Sequence, residues 1–241
     1  MDQLCKRKHL AMDVLLAAID GDYDVWRKYY DELTFSDLVW INTGLHYYIC
    51  EQNRGSYWEI ESVLNYIIGI KNRISIVELG CNRGFLASSI LRCFGENISN
   101  YIGYDANHSA VDETFLIPND KYKAIKCTDW FWNYPICADV FISTHTLEHF
   151  SNQQIKFIID YLKYSKIDHI ILEMPFLRSN QNWIGRHNSH VSDISLDMLI
   201  NLAEKAGYSM VKNTLTSEDK DEYYYDVYLM VWRRNEKYTI A

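Results

Sequence analysis

The stretch Ile74-Ser75-Ile76-Val77-Glu78-Leu79-Gly80-Cys81-Asn82-Arg83-Gly84-Phe85 decides the fold of this chain. Its first half is an apolar run of the length of a β-strand, and Glu78 stands near the end of that run. A loop with glycine at both ends, Gly80 and Gly84, then leads into a helical pattern. Glycine lets bare backbone approach a small molecule, so the stretch predicts a ligand-binding loop after a buried strand.

The rest of the chain alternates strands with helices, which predicts an α/β fold with a parallel sheet covered on both faces. Residues 1 to about 70 have helical spacing, so we expect an N-terminal helical cap over 1–56 and one domain over 57–241. The predicted helices of that domain cover 85–94, 152–164 and 192–206. The predicted strands cover 74–79, 100–105, 122–127, 139–143, 167–174 (stopped by Pro175), 208–214 and 224–232, the last two as an antiparallel pair.

Acidic residues follow three successive predicted strands, at the edge where such sheets bind ligands. Glu78 ends the first strand, where it could accept a hydrogen bond from an ammonium. Asp105 ends the second, about twenty residues past the loop, where a carboxylate can bind both ribose hydroxyls. Asp129 and Trp130 follow the third and could hold an adenine amine and stack on its ring. The alternative is a tight turn with three solvated acids, because a lone glycine loop is a weak signal.

These residues resemble the class I S-adenosylmethionine-dependent methyltransferases. The first motif of that family, an acid followed by G-x-G-x-G, is similar to Glu78–Gly84, with Asn82 in place of the central glycine. Asparagine tolerates left-handed backbone angles, so the loop can keep its shape. The later motifs are similar to Gly103-Tyr104-Asp105, Thr128-Asp129-Trp130 and Leu147-Glu148-His149, and the resemblance covers residues 57–233.

The resemblance implies a Rossmann-like, seven-stranded sheet that is mostly parallel with its last strand antiparallel and has helices on both faces. It also implies S-adenosylmethionine as cofactor. The residues that it implies for cofactor binding are Glu78, Gly80, Asn82, Gly84, Phe85, Asp105, Ala106, Asp129, Trp130 and Thr144.

The run His145-Thr146-Leu147-Glu148-His149 matches H-x-x-E-H, the zinc signature of inverzincins. A zinc site of that kind needs both histidines on one face of a helix. Here the run directly follows a predicted strand, which favours a strand-end loop and predicts no metal site. Metal-assisted methyl transfer by the same side chains is the alternative.

Methyl transfer needs mainly in-line positioning of the acceptor, and a hydroxyl acceptor also benefits from a base. Histidine titrates near neutrality, so His149 is the first candidate, followed by His145 and His190. Glu148 could orient one of these rings or contact the acceptor. The alternative for His149 is a hydrogen-bonded structural residue that lines the pocket.

Charge and cysteine content exclude several other classes. The 241 residues contain 24 Lys and Arg against 32 Asp and Glu, a formal net charge of −8, so a nucleic-acid partner is not expected. The six cysteines form no C-x-x-C pair, which favours reduced thiols and a cytoplasmic location. No run reaches the roughly 18 apolar residues of a membrane span. The extra N-terminal helices offer a surface for a homodimer.

The sequence therefore predicts methyl transfer from S-adenosylmethionine to a small polar acceptor, with the hydroxyl of a sugar or sugar-derived metabolite as first choice. An N-methyltransferase or a natural-product methyltransferase is the alternative. A non-catalytic S-adenosylmethionine-binding subunit is the alternative of another class. It would not need the polar residues at 145–149 and 187–190.

Overall fold

One mixed β-sheet organises the described part of the chain, which in this computed structural model comprises residues 56–106, 111, 120–127, 136–165, 167–177, 192–218 and 225–235. The strands are β1 (Ile74–Leu79), β2 (Ile98–Asp105), β3 (Tyr122–Lys126), β4 (Val140–Thr144), β5 (His169–Leu177), β6 (Tyr208–Glu218) and β7 (Tyr225–Arg234). The α-helices among these residues are α1 (Ser56–Lys71), α2 (Phe85–Phe94), α3 (Asn152–Tyr164) and α4 (Leu196–Lys205). Short 3-10 turns occupy Gly95–Asn97 and Leu147–His149.

The seven strands lie in the order β3-β2-β1-β4-β5-β7-β6. Neighbours are parallel from β3 to β5, and β7 runs antiparallel to both β5 and β6. This confirms the predicted Rossmann-like sheet with its last strand antiparallel. Strand order reverses between β1 and β4, so the carboxyl ends of these two strands form the position where such sheets bind ligands.

Two helices begin and end where the sequence predicts. Helix α2 follows Gly84, whose left-handed backbone (φ 77°) turns the chain out of the loop. Helix α3 has a capping box in which Ser151 and Gln154 satisfy each other's backbone N–H groups. Helix α4 starts later than the predicted Ser192, because the Ser195 side chain accepts the backbone N–H of Met198 and so caps the helix there.

The prediction that Pro175 stops the fifth strand is wrong, since β5 continues to Leu177. The carbonyl of Glu173 faces β4, where it accepts the backbone N–H of His145 at 2.8 Å. Alternate residues of a strand face the same side, so the nitrogen of Pro175 faces that side too, beyond the end of β4 at Thr144. No ladder hydrogen bond is lost there, and β5 stays paired with β7.

Apolar side chains are buried on both faces of the sheet. Phe141 of β4 belongs to a cluster that includes Ile158 of α3 and Leu199 of α4. Its neighbour Ile142 points to the opposite face and is also fully buried. Helices α1 and α2 contact each other, and α1 contacts β1, whereas α3 contacts α4. The helices therefore cover both faces and leave the ends of the strands for chemistry.

The predicted cap over 1–56 lies outside the described residues apart from Ser56, and all described residues belong to the unit Ser56–Ala241. The predicted boundary, the homodimer surface and the cytoplasmic location stay predictions. Within the described residues no helix has the length and apolar character needed to cross a membrane.

Candidate functional site

Three residues of the loop between β1 and α2 have a left-handed backbone conformation. Gly80 has φ 82°, Asn82 φ 45° and Gly84 φ 77°. Asn82 therefore takes the backbone conformation that the sequence required of it in place of a central glycine. The backbone N–H groups of Gly80 and Cys81 both donate to the carbonyl of Tyr104, at 2.7 and 3.2 Å, which fastens the loop to β2.

Asp105 holds the same loop by its side chain. As the last residue of β2 it accepts the backbone N–H of Asn82 on Oδ2 at 2.7 Å. The carboxylate predicted to bind ribose therefore lies directly beside the glycine loop. Two residues earlier on β2, a Cβ on Gly103 would lie 2.6 Å from the Cβ of Cys81, so the absence of a side chain lets the loop pack against the strand.

Glu78 is a buried carboxyl, with 2% of its surface exposed. The hydroxyl of Tyr101, on the neighbouring strand β2, donates to its Oε2 at 2.8 Å. Burial raises the pKa of Glu78 to about 8, and the nearby Asp105 carboxylate raises it further, whereas the Tyr101 hydrogen bond opposes the shift. A carboxyl in this condition binds a cation readily, because a positive charge lets it ionise without water.

Strand β4 brings a second group of side chains to this loop. The hydroxyl of Ser143 donates to the carbonyl of Leu79 at 3.0 Å, and that of Thr146 donates to the carbonyl of Thr144 at 2.9 Å. Thr146 packs so closely on Gly80 that a Cβ there would lie 1.9 Å from its Oγ1. The turn after β4 and the glycine loop after β1 are therefore one continuous surface.

His145 occupies that turn in a left-handed conformation, with φ 46°. Its Nδ1 lies 3.6 Å from Oε1 of Glu148, and its Nε2 lies 3.8 Å from Oε2 of Glu173. Its side chain is 39% exposed, whereas both glutamates are 2% exposed. A strained residue between two buried carboxylates is the kind of arrangement that marks functional sites.

Solved structures match this architecture over most of the chain. Magnesium protoporphyrin IX methyltransferase (ChlM) from Synechocystis PCC 6803, with bound SAH, matches with TM-score 0.58 and 15% identity over 94% of this chain and 100% of that chain. N-methyltransferase NodS from Bradyrhizobium japonicum WM9, in complex with S-adenosyl-L-homocysteine, matches with TM-score 0.55 and 13% identity over 74% of this chain and 87% of that chain. The cyclopropane synthase MmaA2 from Mycobacterium tuberculosis matches with TM-score 0.55 and 11% identity over 67% of this chain and 78% of that chain.

The chain has the fold of the class I S-adenosylmethionine-dependent methyltransferases. No protein-family model matches the sequence, and no curated protein sequence matches it significantly. At these identities the likeness concerns the fold.

Within the methyltransferase fold, the structure brings most of the predicted site residues to the carboxyl ends of β1, β2 and β4. Phe85 is the first residue of α2, Ala106 is exposed just after β2, and Thr144 is the buried last residue of β4. Glu148 and His149 lie in the 3-10 turn, with Glu148 buried and His149 exposed. Asp129, Trp130 and His190 lie outside the described residues.

The H-x-x-E-H run does not lie on an α-helix: it begins directly after β4 ends at Thr144, and its last three residues form the 3-10 turn Leu147–His149. Among the residues that the structure describes, no three His, Cys, Asp or Glu side chains form a group suited to a metal ion. Cys81 does not offer a nucleophile beside the loop, since burial raises the pKa of its thiol far above the usual range.

Sequence reasoning missed Tyr101, Thr146 and Glu173. Tyr101 and Thr146 are ordinary residues in sequence, and only the register of the strands shows what they contact. The sequence did contain a signal for Glu173, which interrupts the apolar run of a strand. A parallel strand is buried on both faces, so a carboxylate within it is buried and needs a partner.

Proposed function

We propose that this chain binds S-adenosylmethionine at the glycine loop and transfers its methyl group to a small polar acceptor. One observation carries the proposal: Asp105 and Glu78, two carboxyls at the ends of neighbouring strands, flank a loop of left-handed residues that Asp105 itself holds in place. The solved structures with bound SAH support the choice of ligand, since they share this fold.

The cofactor fits the residues present. Left-handed Gly80 and Gly84 turn the loop after β1, and beside that loop Asp105 would take the ribose hydroxyls of the adenosyl amino acid and Glu78 would take its ammonium. When bound, its sulfonium supplies an electrophilic methyl group: the acceptor's lone pair forms a bond to the methyl carbon while the carbon–sulfur bond breaks, leaving its electrons on sulfur. The chain's part in that step is to orient the acceptor, exclude water and remove the acceptor's proton.

His145 is the residue that we favour as the base that accepts this proton, because it lies beside Thr146 in the turn that packs on Gly80. His149, the first candidate from sequence, is exposed in the following turn and ranks second in this proposal. A sugar or sugar-derived hydroxyl remains the sequence-based expectation for the acceptor. A nitrogen acceptor is the second candidate, favoured by the two buried carboxylates beside His145; NodS, which shares the fold, is named an N-methyltransferase.

Titration calorimetry with S-adenosylhomocysteine tests the proposal directly. We expect micromolar binding by the full chain, and at least tenfold weaker binding by Asp105→Ala. Heat that stays at the level of buffer dilution up to millimolar ligand would contradict the proposal. If binding survives in His145→Ala and His149→Ala but neither variant changes methyl transfer to any acceptor that wild type uses, the two histidines have no role as base.

A further inference from the structure

Two buried glutamates lie beside His145 with no lysine or arginine of the described residues as a partner. Glu148 and Glu173 are each 2% exposed, and the structure gives neither an ion pair with lysine or arginine among the described residues. Oε2 of Glu148 is fully buried and has no hydrogen-bond partner there. A buried carboxylate without a partner is costly, so this arrangement needs a charge or donor from elsewhere.

Strand pairing and hydrogen bonds position Glu173, and the 3-10 turn after β4 positions Glu148. Parallel pairing of β4 and β5 sets Thr144 opposite Glu173, and the carbonyl of Glu173 accepts the backbone N–H of His145 at 2.8 Å. The hydroxyl of Thr216 lies 3.2 Å from Oε1 of Glu173 and 3.2 Å from the carbonyl oxygen of Val227, and it can donate to either. Glu148 follows His145 by one 3-10 turn and so faces the same imidazole. The backbone therefore brings both carboxylates to His145 without a ligand.

The charges of this cluster do not balance by themselves. Two carboxylates face one imidazole, so even a charged His145 leaves one negative charge. The exposed part of the cluster is the imidazole, whose two nitrogens lie 3.6 and 3.8 Å from oxygens of the two buried carboxylates. A cation that enters beside His145 would meet both carboxylates, and Thr146 places that point against the glycine loop.

We infer that Glu148 and Glu173 bind a cationic nitrogen of the methyl acceptor, which makes the acceptor a small amine. This inference rests on the proposed function and names its substrate class. An ammonium that enters beside His145 brings one positive charge to the two carboxylates, so a neutral His145 then leaves one negative charge, as a charged imidazole does without the ligand. The neutral imidazole takes one proton from the ammonium, the freed nitrogen lone pair attacks the methyl carbon, and the product is the N-methylated ammonium with S-adenosylhomocysteine.

Matched ligand pairs test the inference, since each pair differs in one amine against one hydroxyl. Ethanolamine is compared with ethylene glycol, and glucosamine with glucose, by titration and thermal shift of the full chain saturated with S-adenosylhomocysteine. We expect the dissociation constant of each amine to be at least about tenfold lower than that of its neutral partner. We expect Glu148→Gln and Glu173→Gln each to reduce that preference about tenfold, with S-adenosylhomocysteine affinity unchanged within about twofold.

Glu96→Gln is the matched control, because Glu96 is exposed in the 3-10 turn after α2, and it should leave the preference unchanged. Equal binding of amines and neutral partners by wild type overturns the inference, as does a preference that persists in both glutamine variants. Neither result contradicts the proposed function, which is contradicted if wild type does not bind S-adenosylhomocysteine. Equal binding of the matched pairs by wild type overturns the inference even if a variant does not fold.

Discussion

The two ends of the sheet treat their acidic residues in opposite ways. At the amino end, the Lys71 ammonium bonds Asp139 at 2.6 Å and also Asp168, and the second oxygen of Asp139 accepts both the backbone N–H and the hydroxyl of Ser75 at 2.7 Å. At the carboxyl end, the imidazole of His145 is the only Lys, Arg or His side chain of the described residues within 4 Å of the Glu148 and Glu173 carboxylates. Acidic side chains that pair with a lysine of the chain stabilise the fold, whereas buried acidic side chains without such a partner mark the candidate site.

The pKa values of two carboxyls separate in the same way. Burial alone would raise the pKa of Asp139, but its hydrogen bonds from Lys71 and Ser75 outweigh burial and lower it. Burial raises the pKa of Glu78 to about 8, because the hydrogen bond from Tyr101 offsets only part of that shift and no lysine or arginine of the described residues forms an ion pair with it. The difference predicts that changes at the carboxyl end alter ligand binding and that changes at the amino end alter stability alone.

Gly80→Ala should have the largest effect. The new Cβ would lie 1.9 Å from Oγ1 of Thr146, and φ 82° is strained for any side chain. We expect S-adenosylhomocysteine binding to be abolished and the free energy of unfolding to fall by roughly 3 kcal/mol, as seen by calorimetry and urea unfolding.

Gly69→Ala is the matched control, because a Cβ there meets nothing within 4 Å and the residue is exposed in α1. This variant should bind the ligand normally and gain about 0.5–1 kcal/mol in stability. Normal ligand binding by Gly80→Ala would mean that the loop does not approach the cofactor.

Glu78→Gln should remove a pH dependence and a proton release. The folded pKa lies above the usual 4.5, so the stability that Glu78 contributes is present below pH 4.5 and is lost as pH rises through about 8. Wild type should lose roughly 1 kcal/mol of unfolding free energy per pH unit across that window relative to the variant, as measured by urea unfolding.

Ligand binding adds an independent check on Glu78. If its carboxyl pairs with the ammonium of S-adenosylhomocysteine, it must ionise, so wild type should release a proton on binding at neutral pH. Calorimetry in two buffers of different ionisation enthalpy measures that proton. Equal release by wild type and Glu78→Gln would assign the proton to another group.

Features that depend on residues close together in sequence were predicted well, whereas contacts between residues distant in sequence were not. Helix α3 and strand β1 were predicted to the residue, because apolar spacing and caps such as Ser151 are local. The left-handed backbone of Asn82 was expected from the family resemblance, which places this residue where the motif has a glycine. The end of β5 was predicted wrongly. Pro175 is tolerated within the strand because β4 has already ended at Thr144, so no hydrogen bond from Pro175 is needed. His145 and Glu173 meet through the register of two strands, which one sequence does not reveal.

Asp105→Ala and Asp105→Asn separate the two roles of that carboxylate. Alanine removes the acceptor for the Asn82 N–H, so we expect a loss of about 1–2 kcal/mol in unfolding free energy and at least tenfold weaker S-adenosylhomocysteine binding. Asparagine keeps an acceptor oxygen, so stability should largely return while binding stays weak. Recovery of both properties in the asparagine variant would show that Asp105 only fastens the loop.

Lys71→Met should have the smallest effect and tests the amino end. Its pKa is raised and that of Asp139 is lowered, despite the opposing effect of burial on each. The contribution of Lys71 is therefore present below pH 10.5, and that of Asp139 above pH 3.8, so both act at neutral pH. Because the groups are partly exposed, we expect a loss of about 1 kcal/mol that shrinks as salt is added. Since β1 alone separates this ion pair from the glycine loop, a change in S-adenosylhomocysteine affinity would show that the two ends of the sheet are energetically coupled.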